Sequence, residues 1–497
     1  MKQGEDTVNG DRITKDRVVG MYVHTHWGYA YPYAARTWRL KDWELFLAAL
    51  KECGYNRVQV WPMIDTMPLP LTESDRAWLG TLSGAIEFAR RRCGMQVVAG
   101  GSANTVGNSR AEAYEFASRP YFISERLLNP AEAEEMALLT RHRRECLARL
   151  GSMDGYWIID SDPGGFRGSD NGEFVRLLAL HRGILDELGG DIPLLYWMWE
   201  GWETNRHIYP PLAEQAYADC WKDTLVRIEA ADLDPVEYLV CLPEQLAVVQ
   251  ALGLTERAIG FPYGAIELEP SYPFTTIDWE RLEGRSAPLR LPGGVQGNAQ
   301  THCLQIPHIL AFAHIARHGS LKAFDLRSAA EKLIPGWGDA LAEAWRTLGA
   351  DDIGLIERSG LELSRPPGAQ RLRVGPMSGL FFGDAERLLR DLTLQLRLKR
   401  CVLETEGELA AGRDPDAAFG KAVEALVAWQ ERHLFDDFFL GDSFTRLFHP
   451  TAAAFAESTG GESGAQILRQ LRWRPDRPER RHGYVSRLLA AMCRAVQ

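Results

Sequence analysis

The stretch DGYWIIDSDPGGF, residues 154–166, ends an apolar run with Asp160 and Asp162 and then turns on Pro163, Gly164 and Gly165. Two nearby carboxyl groups repel when both are ionised, so one keeps its proton while the other stays charged. The protonated group can deliver a proton to a leaving oxygen. Its ionised neighbour can orient a reacting group or stabilise positive charge. Side chains alternate faces along an extended strand, so Asp160 and Asp162 are expected to point the same way. Further carboxylates follow later apolar runs: Glu200 and Glu203 after one, Glu267 and Glu269 after another. Hydrolysis of a glycosidic bond usually needs two carboxyl groups flanking the scissile bond. The reading is therefore Asp162 as general acid, Asp160 as the group that holds and tunes it, and Glu200 or Glu267 across the sugar. A plain turn in which Asp162 caps its own backbone is the structural alternative.

Aromatic and amide side chains accompany these acids. Trp27, Trp61, Trp197, Trp199 and Tyr263 stand at the ends of apolar runs, with His24, His26, Asp65, Asn298 and Gln300. Flat rings offer an apolar body with a polar handle. A sugar has apolar C–H faces and polar edges, so this set, with Glu203 and Glu269, is expected to bind a carbohydrate. About half of the rings are expected to pack structurally instead.

These residues need a frame that gathers strand ends. Eight β-rich runs alternate with helical patterns: 18–26, 57–63, 96–102, 155–160, 192–199, 237–243, 257–263 and 293–299. The clearest helix between them is LKDWELFLAALKECG, 40–54, with apolar residues at helical spacing and Gly54 as its stop. Strands alternating with helices imply a parallel sheet, and eight imply a closed (β/α)8 TIM barrel. No GxGxxG motif follows the first strand, which disfavours an open doubly wound sheet. In such barrels the site lies at the C-terminal strand ends, where the acids and rings collect. After about residue 320 helical patterns dominate, at 321–349, 384–411, 415–433 and 463–495, with a Pro/Gly-rich loop at 364–379. The expected division is an N-terminal extension (1–17), a catalytic barrel (18–320) and a helical C-terminal domain (321–497).

The chain of 497 residues is 45% hydrophobic and 25% charged, with a formal net charge of −11. That balance disfavours nucleic-acid binding, which needs a basic surface. The basic cluster RWRPDRPERRHG, 472–483, reads as a solvated loop. The eight cysteines form no CxxC pair, and no apolar run reaches the length of a membrane span. The expectation is a cytoplasmic protein with reduced thiols, without nucleic-acid or membrane partners and without a cofactor. Its partner is a carbohydrate substrate, and a second copy in a homodimer is the one oligomer considered.

The stretches GMYVHTHWGYAYPYAARTWRLKDWELFLAALKECGYNRVQVW, IIDSDPGG, FPYG and GNAQTHCLQIPHILAFAHIAR resemble bacterial glycoside-hydrolase-like barrels related to the β-hexosaminidase and α-glucuronidase groups. The resemblance covers roughly residues 18–318 and a helical tail of the same general kind. It implies a glycosidase with its acid at the end of the fourth strand. In the hexosaminidases that strand ends in an adjacent Asp-Glu pair: the Glu is the acid, and the Asp orients a substrate acetamido group. Here the corresponding place reads Asp160-Ser161-Asp162, a departure from that pair.

Two other classes compete. His24-Thr25-His26 suits a metal-dependent amidohydrolase, but such a site needs further His ligands on later strands and an Asp on the last. Strands five and six end in WMWE and CLPEQ, and GGVQGNAQTH holds no Asp; no metal site is expected. A carbohydrate-binding barrel without activity would keep the aromatic mouth and use the carboxylates only for hydrogen bonds.

Overall fold

A computed structural model describes residues 17–496 apart from 122, 190–191, 206–212, 232, 234–235, 269–272, 276, 365–371, 435–447 and 473–482. The extension before Arg17, Glu269 and most of the basic cluster lie outside the described residues.

Eight parallel strands close into a barrel. They are β1 (Val18–Val23), β2 (Arg57–Val60), β3 (Gln96–Ser102), β4 (Gly155–Ile159), β5 (Leu194–Met198), β6 (Val236–Val240), β7 (Ala258–Gly260) and β8 (Gly294–Ala299). Sequential neighbours pair, and β1 pairs with β8 from Val18 opposite Gly294 to Val23 opposite Ala299. Strand alternation divides the side chains into two cores. One parity (Val19, Met21, Tyr156, Ile158, Tyr196) packs outward against the helices. The other fills the barrel: Tyr22, Trp61, Trp157, Trp197 and Phe261 form a plug together with Val98, Ile159, Leu195 and Leu239. Ring centroids within the plug lie 4.6 Å apart for Trp61–Trp157, 5.0 Å for Trp157–Trp197 and 4.7 Å for Trp197–Phe261. Gly100 makes room for this plug: a Cβ there would fall 1.9 Å from the Trp157 carbonyl oxygen.

Helices α1 (Leu40–Cys53), α2 (Glu73–Cys93), α3 (Ala133–Leu150), α4 (Asn171–Glu187), α5 (Glu214–Ala230), α6 (Pro243–Ala251), α7 (Trp279–Ser286) and α8 (Ile306–His318) cover the strands. α1 buries Trp43, Phe46, Leu47 and Leu50, and ends on Gly54 at φ 90°. α7 is a short helix where the sequence pattern is weakly helical. The interval after β3 holds a feature absent from the sequence reading, a small antiparallel ribbon of Thr105–Gly107 and Glu125–Leu127.

Beyond α8 the described chain is helical: α9 (Leu326–Glu331), α10 (Gly338–Leu348), α11 (Ile353–Leu363), α12 (Ala385–Ala410), α13 (Asp416–His433), α14 (His449–Thr459), α15 (Gly461–Leu471) and α16 (Tyr484–Ala495). The expected helix at 321–349 is two helices, broken around Pro335 and Gly336, whose φ is 85°. The run at 463–495 is likewise two helices, and α11 and α14 were not expected. This tail grips loops at the C-terminal end of the barrel. The Tyr33 hydroxyl donates to Asp391 (2.9 Å), the Trp429 indole to the Pro273 carbonyl (2.7 Å) and the Thr275 amide to Gln395 (2.8 Å). All eight cysteines are unbonded, seven of them buried. No helix among the described residues is long and apolar enough to cross a membrane.

Candidate active site

Strand parity decides what each acid at the end of β4 does. Trp157 and Ile159 point into the barrel, so Asp160 points outward with Ile158. Its Oδ2 accepts from the Tyr196 hydroxyl (2.7 Å) and from the amides of Trp199 (3.2 Å) and Gly201 (3.1 Å). Its Oδ1 accepts from the Ser161 hydroxyl (2.9 Å), whose oxygen in turn accepts the Glu200 amide (3.1 Å). Asp160 is thus a fully buried peg that fixes the loop after β5. Burial pushes its carboxyl up to about 7 against the pull of these hydrogen bonds, and the nearby Glu200 adds to the rise.

The expectation that Asp160 and Asp162 face one way is corrected. It assumes that extended geometry persists, but Asp162 takes φ 59°, the left-handed region, and the alternation ends there. Asp162 is half-buried and sits on the mouth side, where its charge acts on Tyr121 and Glu125. The turn behind it is pinned from both flanks. Asn205 donates to the Gly164 carbonyl (2.7 Å), and Asn104 donates to the carbonyls of Gly165 (2.9 Å) and Leu128 (2.7 Å). A Cβ on Gly164 would meet the Asp160 carbonyl oxygen at 2.9 Å, so the tight turn needs glycine.

Two other expected carboxylates also hold loops. Glu267 is fully buried and accepts from the amides of Gln300 (2.7 Å) and Thr301 (2.8 Å) and from the Thr301 hydroxyl (2.7 Å). Those contacts make it the anchor of the loop after β8 rather than an acid facing substrate. Glu203 is exposed and accepts the Asn171 amide (2.7 Å) at the start of α4. Glu200 is buried at the mouth, beside Asp160. With Trp199 and Tyr263, whose rings meet edge to face at 4.8 Å, it lines a cavity of about 1010 Å³ that runs between α5 and α6.

Several expected binding residues are structural. Trp61 and Trp197 belong to the plug; the Trp61 indole donates to Asp65 (2.5 Å) and the Trp197 indole to the Cys241 sulfur (3.1 Å). Asp65 is fully buried, paired with Arg143 (3.2 Å), and accepts the Ser102 amide and hydroxyl (both 3.0 Å). Burial still raises its carboxyl, with Arg143 opposing. Trp27 donates to Gln300 and stacks on His24 at 5.6 Å. Asn298 is buried opposite Tyr22 in the β1–β8 register.

His24 and His26 bond to each other through their rings (3.0 Å). Burial, with His24 and Arg36 nearby, holds His26 well below the usual histidine range, so it stays neutral. Among the described residues no group of three or more His, Cys, Asp or Glu side chains is placed to hold a metal ion. The His24-Thr25-His26 motif serves packing: the His26 ring meets Trp61 and Tyr121 edge to face, each at 4.3 Å.

Tyr121 and Glu125 were missed from the sequence. Both lie on the segment between β3 and α3. Its length is the one available signal, since long structureless intervals in compact domains are commonly functional. Glu125 stands opposite Gly107 in the ribbon, and its carbonyl accepts from Asn108 (2.9 Å). Its carboxyl Oε2 is buried with no hydrogen-bond partner among the described residues. Burial pushes this carboxyl well above the ordinary range, and the carboxylates of Asp65 and Asp162 push it further.

No family model and no curated protein matches the chain. Solved structures similar to it include a GH138 enzyme targeting pectin rhamnogalacturonan II, at 10% identity and TM-score 0.47, covering 92% of this chain and 68% of that one. CpGH84D matches at 9% identity and TM-score 0.41, covering 96% and 74%. A β-N-acetylhexosaminidase from Bacteroides fragilis NCTC 9343 matches at 12% identity and TM-score 0.40, covering 66% and 69%. A D-psicose 3-epimerase matches as well, at 12% identity and TM-score 0.27.

Proposed function

We propose that this chain hydrolyses a glycosidic bond at the C-terminal mouth of its barrel, with Asp162 acting on the scissile bond. The observation that supports the reading is that Asn104, through the carbonyls of Leu128 and Gly165, ties the ribbon carrying Glu125 after β3 to the turn carrying Asp162 after β4, so two strand ends bring carboxyl groups to one region. Tyr121, beside both of these carboxyls, belongs to a cluster of rings with Trp61 and His26. Acids of unequal proton affinity beside a cluster of rings suit a substrate with apolar faces and polar edges. Asp160 acts behind the site by fixing the loop that carries Trp199 and Glu200. The cavity along Trp199, Glu200 and Tyr263 gives room for further sugar units.

A panel of aryl glycosides and oligosaccharides, run on wild type and Asp162→Asn, tests the reading. Turnover by wild type that falls about 10²–10⁴-fold in the variant, with an unchanged melting temperature, is the expected result. Tight sugar binding with no turnover, indifferent to the substitution, would assign a binding barrel instead.

A further inference from the structure

Among the carboxyl groups of the mouth, Glu125 differs from the rest in how its oxygens are used. Asp65, Asp160 and Glu267 each accept several hydrogen bonds from fixed neighbours. The Oε2 of Glu125 is buried and accepts none among the described residues. A carboxylate oxygen left so would bear the full desolvation penalty of a buried charge. A carboxylic acid in that position bears far less.

The position is also fixed by the backbone. Glu125 opens the second strand of the ribbon, with its carbonyl held by Asn108. Asn104 ties the end of this ribbon, through the Leu128 carbonyl, to the turn that follows Asp162, through the Gly165 carbonyl. One amide group therefore sets the ribbon against the β4 turn. The ionisable groups facing Glu125 are Asp162 from that turn, Asp65 from the loop after β2, and Tyr121 from its own segment. Arg143, the cation paired with Asp65, is also committed to the carbonyls of Ser102 (3.1 Å) and Thr105 (2.6 Å).

We propose that Glu125, rather than Asp162, carries the proton delivered to the leaving oxygen, and that the ionised Asp162 faces the positive charge that develops on the sugar. This rests on the glycosidase reading and reverses the role that the sequence assigns to Asp162. The step balances as follows. The bond from the anomeric carbon to the leaving oxygen breaks, and its electron pair stays on that oxygen. The oxygen takes the Glu125 proton, leaving a Glu125 carboxylate. The cationic sugar ring lies against the Asp162 carboxylate until a water oxygen bonds to the anomeric carbon. The proton released by that water returns to Glu125. The direction of the shift agrees: burial, with the carboxylates of Asp65 and Asp162 nearby, raises the Glu125 carboxyl and so favours its protonated form.

The experiment compares wild type, Glu125→Gln and Asp162→Asn on two substrates that wild type turns over: an aryl glycoside with an acidic phenol and one with an alkyl leaving group. Loss of a proton donor hurts in proportion to the need for protonation. Glu125→Gln should lose about 10²–10⁴-fold in kcat/KM on the alkyl glycoside and little on the acidic phenol. It should also lose the alkaline limb of the pH profile. Asp162→Asn should lose similar factors on both substrates. Melting temperatures and far-UV circular dichroism check that both variants fold. The opposite pattern, leaving-group dependence in Asp162→Asn and none in Glu125→Gln, would overturn this assignment while keeping the glycosidase reading. Absence of wild-type turnover on every glycoside would remove both.

Discussion

The two halves of the barrel mouth are stitched by charges of opposite sign. On the side of β1 to β3, buried arginines donate to backbone carbonyls. Arg36 holds the carbonyls of His26 (3.1 Å), Phe116 (2.7 Å) and Arg119 (2.9 Å); Arg119 holds those of Ala111 (3.1 Å) and Thr66 (3.2 Å) and pairs with Asp75 (2.6 Å). Arg143 does the same beside Asp65. On the side of β4 to β8, buried carboxylates accept from backbone amides: Asp160 for the loop after β5 and Glu267 for the loop after β8. A guanidinium keeps its charge near neutral pH, even that of Arg36, which burial lowers to about 9, whereas a buried carboxyl need not. The arginine stitches therefore hold a fixed charge, while the Asp160 stitch titrates. The proposed acid, Glu125, sits on the arginine side, and the open cavity beside Glu200 and Trp199 lies on the carboxylate side.

The comparison can be broken most severely at Arg143. Arg143→Met leaves Asp65 buried without its cation and frees two carbonyls. Unfolding in urea should show a loss of about 3–5 kcal/mol, the usual result of removing one partner of a buried pair. A loss below about 1 kcal/mol, the range of an exposed pair, would mean that the arginine stitch is ornamental.

Asp160 gives the next largest effect. Asp160→Ala removes the acceptor of the Tyr196 hydroxyl in β5 and of two amides of the following loop, Trp199 and Gly201, and leaves those two amides unpaired. The expected cost is about 2–4 kcal/mol, since each unpaired group costs on the order of 1–3 kcal/mol and the loop relaxes in part. Asp160→Asn can keep those three bonds on its amide oxygen and should cost less. It also sharpens the contrast in pH response. The folded state holds the Asp160 proton up to about pH 7, while the unfolded chain releases it near the ordinary value of about 4. The stability that protonation contributes is fully present below that lower value and is lost as pH rises to the upper one. The difference in unfolding free energy between wild type and Asp160→Asn should therefore shift in favour of the variant from about pH 4 to about pH 7. A flat difference would show that Asp160 is ionised throughout.

The smallest effect belongs to Glu203, which accepts one amide from an exposed position. Glu203→Ala should change stability by no more than about 1 kcal/mol, the scale of a single helix-end contact. Its kcat/KM should stay near wild type, in contrast to the buried Glu200 three residues before it.

Much of the frame was legible because its signals are local. Seven of the eight strand runs contain an observed strand, the sixth strand starts one residue before its run at Val236, and α1 (Leu40–Cys53) matches the expected 40–54 closely. The orientation of Asp160 was legible too, had parity been counted from Trp157 and Ile159. The misreading came from extending the strand to Asp162, where φ is positive and alternation ceases. Glu267 and Asp65 are the right type of residue in the right place, but no spacing in the sequence reveals that distant backbone amides, or Arg143, occupy their oxygens. Glu125 escaped for the opposite reason. Its ribbon strands are three residues long, too short to carry a period, and they exist through pairing across a long loop.

The tail's grip on the mouth loops also orders events in time. As the chain emerges during synthesis, β1 waits for β8 before the barrel closes, because Val18 must meet Gly294. Closure still leaves the mouth unfinished. The Tyr33 hydroxyl has no Asp391 to donate to, and the segment at Pro273 and Thr275, already bonded to Leu304 and Gln305, lacks its bonds to Gln395 and Trp429 until they follow. A ribosome that has released the whole barrel has not yet released these anchors. The nascent protein thus gains them last, and a chain cut short after α8 carries a barrel in which Tyr33, Pro273 and Thr275 lack their bonds to the tail.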